Sequence, residues 1–125
     1  MSNALEIVTG RLLRRFDCTT EYPPEEYLEY QPTRVVESPA GRYREANSQV
    51  HARFAYRFRI ENVGHPHLVV LRYPDDKRRH FGVSDGMTYD MTMGIYTGWE
   101  YPLSHTMHEA HLFFYPRWHD CAIQF

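Results

Sequence analysis

The sequence has little lysine, few cysteines and no long run of apolar residues. Its 14 basic residues include a single lysine, Lys77, and the net charge is −2. Because such a chain offers no broad cationic surface to phosphate backbones or anionic lipids, we expect no nucleic-acid partner. No stretch approaches the roughly 18 apolar residues of a membrane-spanning helix, and the N-terminus lacks the basic-then-apolar order of a signal peptide. We therefore also expect no membrane span.

The two cysteines, Cys18 and Cys121, are too few to build a disulfide framework. They are able to pair only if the two ends of the chain meet, since a disulfide requires Cα atoms within about 7 Å of each other. The alternative is that both are buried free thiols. The cysteine content therefore leaves both the pairing and the cellular compartment open.

Aromatic residues are abundant, with 10 Tyr, 7 Phe and 2 Trp among the 125 residues. Aromatic and β-branched side chains suit the half-buried surface of a pleated sheet. The length is sufficient for one hydrophobic core and short for two. Composition and length together predict a single, mainly β domain.

Strand signals dominate from residue 50 onward. In residues 51–60, three aromatic residues alternate with arginines, the period of two that is typical of a strand with one solvent-exposed face. A strand is predicted over His67–Tyr73, and its uninterrupted apolar run Leu68–Leu71 predicts that it is a central strand covered on both faces. Further short strands are predicted at 79–84, 87–96, 106–115 and 119–125. This spacing predicts an all-β fold, a jelly-roll-like β-sandwich over residues 34–125.

Residues 1–33 are predicted to form an irregular N-terminal arm. Four prolines within residues 22–41 favour extended backbone over regular structure, with one helical turn near residues 25–30. At the other end, the last predicted strand reaches the C-terminus without a closing turn. We therefore expect the chain to be a piece of a larger protein.

Five segments together resemble a module seen in other proteins. They are VESPAGRYREA (36–46), FAYRF (54–58), PHLVVLRYPDDKRR (66–79), GIYTGWEYPLS (94–104) and FFYPRWHD (113–120). As a set they are similar to an uncharacterised carbohydrate-binding-like β-sandwich module of large bacterial proteins that also carry glycoside-hydrolase-like domains. The resemblance covers residues 34–125. It implies a jelly-roll-like fold with a sugar-binding or accessory role, and it supplies no catalytic residues to transfer.

A cluster of aromatic and acidic residues near position 100 has the chemistry of a sugar site. It contains Tyr96, Trp99, Glu100 and Tyr101, and Gly98 permits tight backbone among them. Sugars lay their C–H faces on aromatic rings while acids and arginines bond their hydroxyl groups. We predict these four side chains as ligand contacts. The alternative is burial, because a small β domain needs large rings in its core.

Two further residues are candidates for ligand contacts. Trp118, beside Arg117 and Asp120, is predicted to form a second edge of the site. Arg44 has the planar guanidinium group that binds a carboxylate or an acidic sugar through two hydrogen bonds. The alternative for Arg44 is a charge that protects an edge strand from pairing with another sheet.

Three of the eight histidines, His105, His108 and His111, are weak candidates for a metal site. On a strand, steps of three residues place His105 and His111 on one face and His108 on the other. Zinc requires three or four converging ligands, so we expect scattered histidines and no metal or other cofactor. The adjacent Asp75 and Asp76 are expected to be turn formers. The sequence also lacks the GxSxG motif of serine hydrolases.

The favoured hypothesis is a non-catalytic carbohydrate-binding or accessory module in which a glycan stacks on the aromatic residues near position 100. The first alternative is a structural or interaction domain that packs against neighbouring domains or copies of itself. The second is a metal-dependent enzyme that uses the histidines. An exposed Trp99 in a concave site favours the first hypothesis, a flat apolar patch favours the second, and converging imidazoles favour the third.

Overall fold

The chain folds into β-strands joined by turns and loops. A computed structural model describes residues 10–85 and 93–125, and the regular elements within these ranges are all β-strands. They are β1 (Tyr27–Tyr30), β2 (Thr33–Ser38), β3 (Gly41–Ala46), β4 (Arg53–Arg59), β5 (His67–Pro74), β6 (Arg79–Val83), β7 (Met93–Thr97), β8 (Met107–Phe114) and β9 (Asp120–Gln124). The all-β prediction is confirmed. No helix in the described residues is long and apolar enough to cross a membrane.

The strands pair antiparallel in four small sheets. Strand β4 lies between β1 and β9 in a three-stranded sheet, and the pairs β2–β3, β5–β8 and β6–β7 form two-stranded sheets. Ser84, just beyond β6, exchanges two backbone hydrogen bonds of 2.9 and 2.8 Å with Gln124 of β9. This bridge connects the end of the β6–β7 hairpin to the three-stranded sheet.

Most of the predicted strands from residue 50 onward are present. Strands β4, β5, β6, β8 and β9 match the predictions within about two residues at each end. The strand predicted at 87–96 is represented by β7, and its first part, residues 87–92, lies outside the described residues. Alternation of apolar and polar residues therefore identified these elements from sequence alone.

The prediction that Leu68–Leu71 is covered on both faces is wrong. Leu68 and Val70 are each 51% exposed, whereas Val69 and Leu71 pack against the core. Because β5 pairs with β8 in a two-stranded sheet, the side chains of these four residues alternate between interior and solvent. Because Leu68 and Val70 on the outer face are also apolar, the sequence of this segment resembles that of a strand buried on both faces.

The prediction of irregular backbone over residues 22–41 is also wrong in part. Glu26 and Tyr27 both donate backbone N–H groups to the carbonyl of Pro23, at 2.9 and 3.0 Å, in a single turn. Strand β1 starts directly after this turn and pairs with β4, and β2 pairs with β3. Between Gly10 and Glu26 the backbone carries no strand. Prolines therefore interrupt the strands here without preventing them.

Side chains from several sheets meet in one hydrophobic core. Its buried members are Val83, Ile95, Ala110, Leu112, Phe114 and Ile123, drawn from β6, β7, β8 and β9. Phe58 of β4 and the inward-facing residues of β5 pack around them. Burial of each large apolar side chain stabilises the fold by about 1.5–3 kcal/mol, so this cluster holds the small sheets together.

The N-terminal segment packs on β4 through aromatic rings. The Tyr56 ring lies 5.0 Å from the centroid of Phe16 and 5.9 Å from that of Tyr22. Cys18 in this segment and Cys121 of β9 are both free thiols, and burial raises the pKa of each. A raised pKa keeps both thiols protonated and weakly reactive at neutral pH.

Candidate functional site

The loop of residues 98–106, here called the aromatic loop, connects β7 to β8 and forms one side of a cleft of about 510 Å³. Four of the six predicted ligand contacts line this cleft, together with two polar residues that were not predicted as contacts. The four are Tyr96, Trp99, Glu100 and Tyr101, and the two are Asp75 and His108. The cleft therefore combines three aromatic rings with two carboxylates and an imidazole.

Trp99 is held in one orientation and still presents much of its ring to solvent. Its indole N–H donates to the backbone carbonyl of Arg79 at 3.1 Å, and the Arg78 guanidinium lies 3.6 Å from the ring centroid. The Tyr96 ring meets it edge-on, with centroids 5.8 Å apart. Trp99 remains 52% exposed. A ring that is fixed before binding loses little conformational entropy when a ligand stacks on it.

The aromatic surface continues along the outer face of the β6–β7 hairpin. His80 and Tyr96 are directly opposite each other in the strand register, and their rings stack at 4.1 Å with planes only 6° apart. Tyr96 and Tyr101 are both exposed, Tyr101 at 79%. The sequence-based prediction missed His80 because it lies 16 residues from Tyr96 and reaches it only through the hairpin register.

Asp75 anchors the aromatic loop at its C-terminal end. Its carboxylate accepts the Ser104 backbone N–H at 2.8 Å. Its own backbone donates to the Thr106 carbonyl at 3.0 Å and accepts from the His105 N–H at 2.8 Å. Burial alone would raise the pKa of Asp75, but the Ser104 hydrogen bonds and the nearby His108 outweigh it and lower that pKa. Asp75 is therefore buried and ionised, and it holds the end of the aromatic loop in place. Its hydrogen bonds extend to residues 104–106, beyond the local turn that was predicted.

The other end of the aromatic loop is held by backbone geometry. Gly98 has a φ of +72°, and a Cβ added there would lie 3.0 Å from Leu103 Cδ2 and 3.1 Å from Arg78 Cα. The hydroxyl of Thr97 donates to the Lys77 carbonyl at 2.7 Å. Both ends of the loop are therefore attached to the turn between β5 and β6.

That turn is itself supported by a charged network. Asp76 accepts hydrogen bonds of 2.6 Å from both the Tyr43 hydroxyl and the Arg79 guanidinium. Burial would raise the pKa of Asp76, but these bonds from Tyr43 and Arg79 outweigh it and lower the pKa to about 2. The Asp75–Asp76 pair therefore fixes the platform from which the aromatic loop projects.

The three candidate metal ligands do not converge. His108 lies at the cleft, with its Nε2 atom 2.8 Å from Ser104 Oγ and 3.5 Å from Asp75 Oδ2. His111 lies on the outer face of β8 and pairs with Glu109 at 3.3 Å, and His105 lies in the turn before β8. In the described part of the chain, no group of three His, Cys, Asp or Glu side chains is arranged to hold a metal ion.

Trp118 lies at the opposite end of β8 from the aromatic loop. It lines a second cleft of about 400 Å³ with Phe113, Tyr115 and Asp120 among others. Since His108 of the first cleft and Phe113 of the second are five residues apart on β8, the two clefts are separated by roughly 17 Å along the strand. The structure therefore does not bring Trp118 together with Trp99 in one site.

Arg44 does not line the aromatic cleft. Its side chain is only 6% exposed. It donates to the Cys18 carbonyl at 2.7 Å and to the Thr33 hydroxyl at 2.8 Å, and it pairs with Glu21 at 3.5 Å. Its guanidinium therefore ties the N-terminal segment to the β2–β3 hairpin, which differs from both roles considered for it from sequence.

The fold and the site define an all-β domain with a pre-formed aromatic cleft. A scan of protein-family models, a search of curated proteins and a search of solved structures found no match to this chain. The function is accordingly argued from the geometry of the cleft.

Proposed function

We propose that this protein is a non-catalytic carbohydrate-binding module whose ligand stacks in the aromatic cleft. The main support for the proposal is Trp99. Contacts with Arg78 and with the Arg79 carbonyl hold its ring in place, and the ring is still half exposed. Beside it stand the exposed Tyr101 ring and the carboxylate of Glu100. Rings that pack on C–H faces, next to acceptors for hydroxyl groups, are the two components of sugar recognition.

The cleft supports binding better than glycoside hydrolysis. A glycosidase requires a general acid, a carboxyl group that stays protonated at the working pH because its pKa is raised. Asp75 has the opposite property, since its pKa is lowered and one of its oxygens accepts the Ser104 N–H. Asp75 therefore supports the loop and leaves the rings and Glu100 for the ligand.

We further propose that the four sheets stack in two layers as a β-sandwich. The Ser84–Gln124 bridge extends the three-stranded sheet toward the β6–β7 hairpin. The inward faces of β5 and β8 pack on the same core as β6, β7 and β9. A two-layer arrangement accounts for one core shared by several sheets, and it places the cleft at one end of the layers.

The decisive experiment is a glycan-array screen of the purified chain beside three variants. We expect the wild type to bind a defined set of glycans, and we expect Trp99→Ala and Tyr101→Ala to weaken that binding by about tenfold or more. Trp118→Ala is the matched control, because it removes a similarly exposed indole at the other end of β8. Tyr101→Ala is the cleft variant least expected to disturb the fold of the loop, since Tyr101 is more exposed than Trp99 and Trp118.

The proposal fails if the wild type binds no glycan, or if both cleft variants bind as the wild type does. Equal losses in the cleft variants and in Trp118→Ala would place the ligand elsewhere. Thermal unfolding of every variant by circular dichroism shows whether a loss of binding reflects a loss of fold.

A second candidate function is self-association through the outer face of β5 and β8. Leu68 lies directly across from Phe113 in the strand register. These two residues and Val70 are between 51% and 68% exposed, and Tyr115 follows on the same side of the chain. Contiguous apolar surface of this kind on a monomer commonly marks an interaction site. The patch favours packing against a second copy of the chain.

Sedimentation velocity over a wide range of concentration tests this second function. We expect a dimer that Phe113→Ser dissociates, while Tyr101→Ser, which removes an exposed ring in the aromatic cleft, leaves it intact. A monomer at every concentration would remove this candidate.

A further inference from the structure

The aromatic cleft carries an excess of negative charge among the residues that line it. Among the described residues that line it are the carboxylates of Asp75 and Glu100 and no lysine or arginine. The lining does include one imidazole, that of His108, whose Nε2 already contacts Ser104 and Asp75. A ligand in this cleft therefore meets the exposed Glu100 carboxylate and three exposed aromatic rings, while the Asp75 carboxylate in the lining is almost fully buried.

The nearby cations are engaged outside the cleft. Arg78 packs on the Trp99 ring, 3.6 Å from its centroid, and is not among the described residues that line the cleft. Arg79 is paired with Asp76 at 2.6 Å. The ammonium group of Lys77 is bonded to Glu45. Asp75 is bonded to Ser104 and lies 3.5 Å from His108, whereas no ion pair among the described residues involves Glu100, so the Glu100 carboxylate is available to a ligand in the cleft.

Resting on the proposed function, we infer that the bound saccharide carries protonated amino groups, as a hexosamine without its acetyl group does. Aromatic faces attract an ammonium group through their quadrupoles, and a neighbouring carboxylate adds a charge-assisted hydrogen bond. The 3.6 Å contact between Arg78 and Trp99 is an internal instance of the same attraction. Uronic acids and sulfated sugars are disfavoured, because their anionic groups would face Asp75 and Glu100.

The test compares three tetrasaccharides by titration calorimetry: one of glucosamine, one of N-acetylglucosamine and one of glucose. We expect the glucosamine tetramer to bind about tenfold more tightly than either neutral tetramer, the gain expected for one additional charged hydrogen bond. In Glu100→Gln that ratio of affinities should fall toward one, because the carboxylate that would bond the ammonium group is gone.

Glu61→Gln is the matched control for general electrostatic attraction. It removes the same charge from an exposed residue before β5, whereas the cleft lies beyond the other end of that strand. We expect this control to retain the full preference for the glucosamine tetramer. If both variants reduce the preference equally, the attraction is to the net charge of the chain and the inference is wrong.

The same measurements distinguish a wrong ligand preference from a wrong proposed function. Equal binding of all three tetramers, or tighter binding of an oligogalacturonate, overturns the preference for amines and leaves carbohydrate binding in place. Absence of binding to every saccharide overturns both.

Discussion

The carboxylate of Asp75 accepts the backbone N–H of Ser104 at 2.8 Å, a contact between residues 29 positions apart. Through it, the end of β5 determines where the aromatic loop lies. Asp75 is only 6% exposed, so a substitution there leaves a buried donor without its partner. The position of the rings in the cleft therefore depends on a residue that is itself almost hidden from solvent.

We predict that Asp75→Ala lowers the free energy of unfolding by about 1–3 kcal/mol, the cost of an unsatisfied buried hydrogen-bonding group. Asp75→Asn should cost less, since its amide oxygen still accepts the Ser104 N–H. Urea denaturation followed by tryptophan fluorescence measures both changes. If Asp75→Ala lowers the free energy of unfolding no more than Glu61→Gln does, the hydrogen bond from Ser104 to Asp75 does not contribute to stability.

The stability of the fold should fall in acid because of Asp76. Folding lowers its pKa from 3.8 to about 2, so its carboxylate stabilises the fold fully above pH of about 4. As the pH falls from about 4 to about 2, this contribution, on the order of 2 kcal/mol, is lost. Urea denaturation midpoints measured across this range should fall less steeply for Asp76→Asn than for the wild type. Parallel curves for the two proteins would contradict the assignment.

Gly98→Ala should displace the aromatic loop. The residue has a φ of +72°, and the new methyl group would lie within about 3 Å of Leu103 and of the Arg78 backbone. Positive φ alone costs an alanine about 1–2 kcal/mol. We expect reduced stability together with weaker glycan binding. Gly64→Ala is the control, because it has a positive φ without any atom near the added Cβ, and it should lose stability alone.

Arg44→Met should release the N-terminal segment from the β2–β3 hairpin. The substitution keeps an unbranched side chain of similar length but leaves the Cys18 carbonyl and the Thr33 hydroxyl without their donor. We expect faster trypsin cleavage at Arg14 and Arg15 and a loss of about 2–3 kcal/mol in unfolding free energy. Arg42→Met, at an exposed site on the same strand, should change neither. Unchanged cleavage in Arg44→Met would rule out this role.

Part of the aromatic cleft was predictable from sequence. Tyr96, Trp99, Glu100 and Tyr101 lie within six residues, and they line one cleft because a short loop keeps neighbours together. Asp75 escaped prediction as a cleft residue because it follows β5, far from the aromatic loop in sequence. His108 is close to the loop in sequence, but its place in the cleft depends on how β8 packs. Trp118, like Trp99, has an acidic residue and a tyrosine close by in sequence, but the length of β8 separates the two indoles.

The sequence by itself determined the strands from residue 50 onward, because the period of two in residues 53–59 and the turn residues between later strands are local properties of the chain. Only the tertiary structure decided which faces are buried. Leu68 and Val70 are as apolar as Val69 and Leu71, yet only the latter pair packs in the core. Burial depends on which sheets pack together and in which register, and these relationships join residues too distant in sequence for any local pattern to encode them.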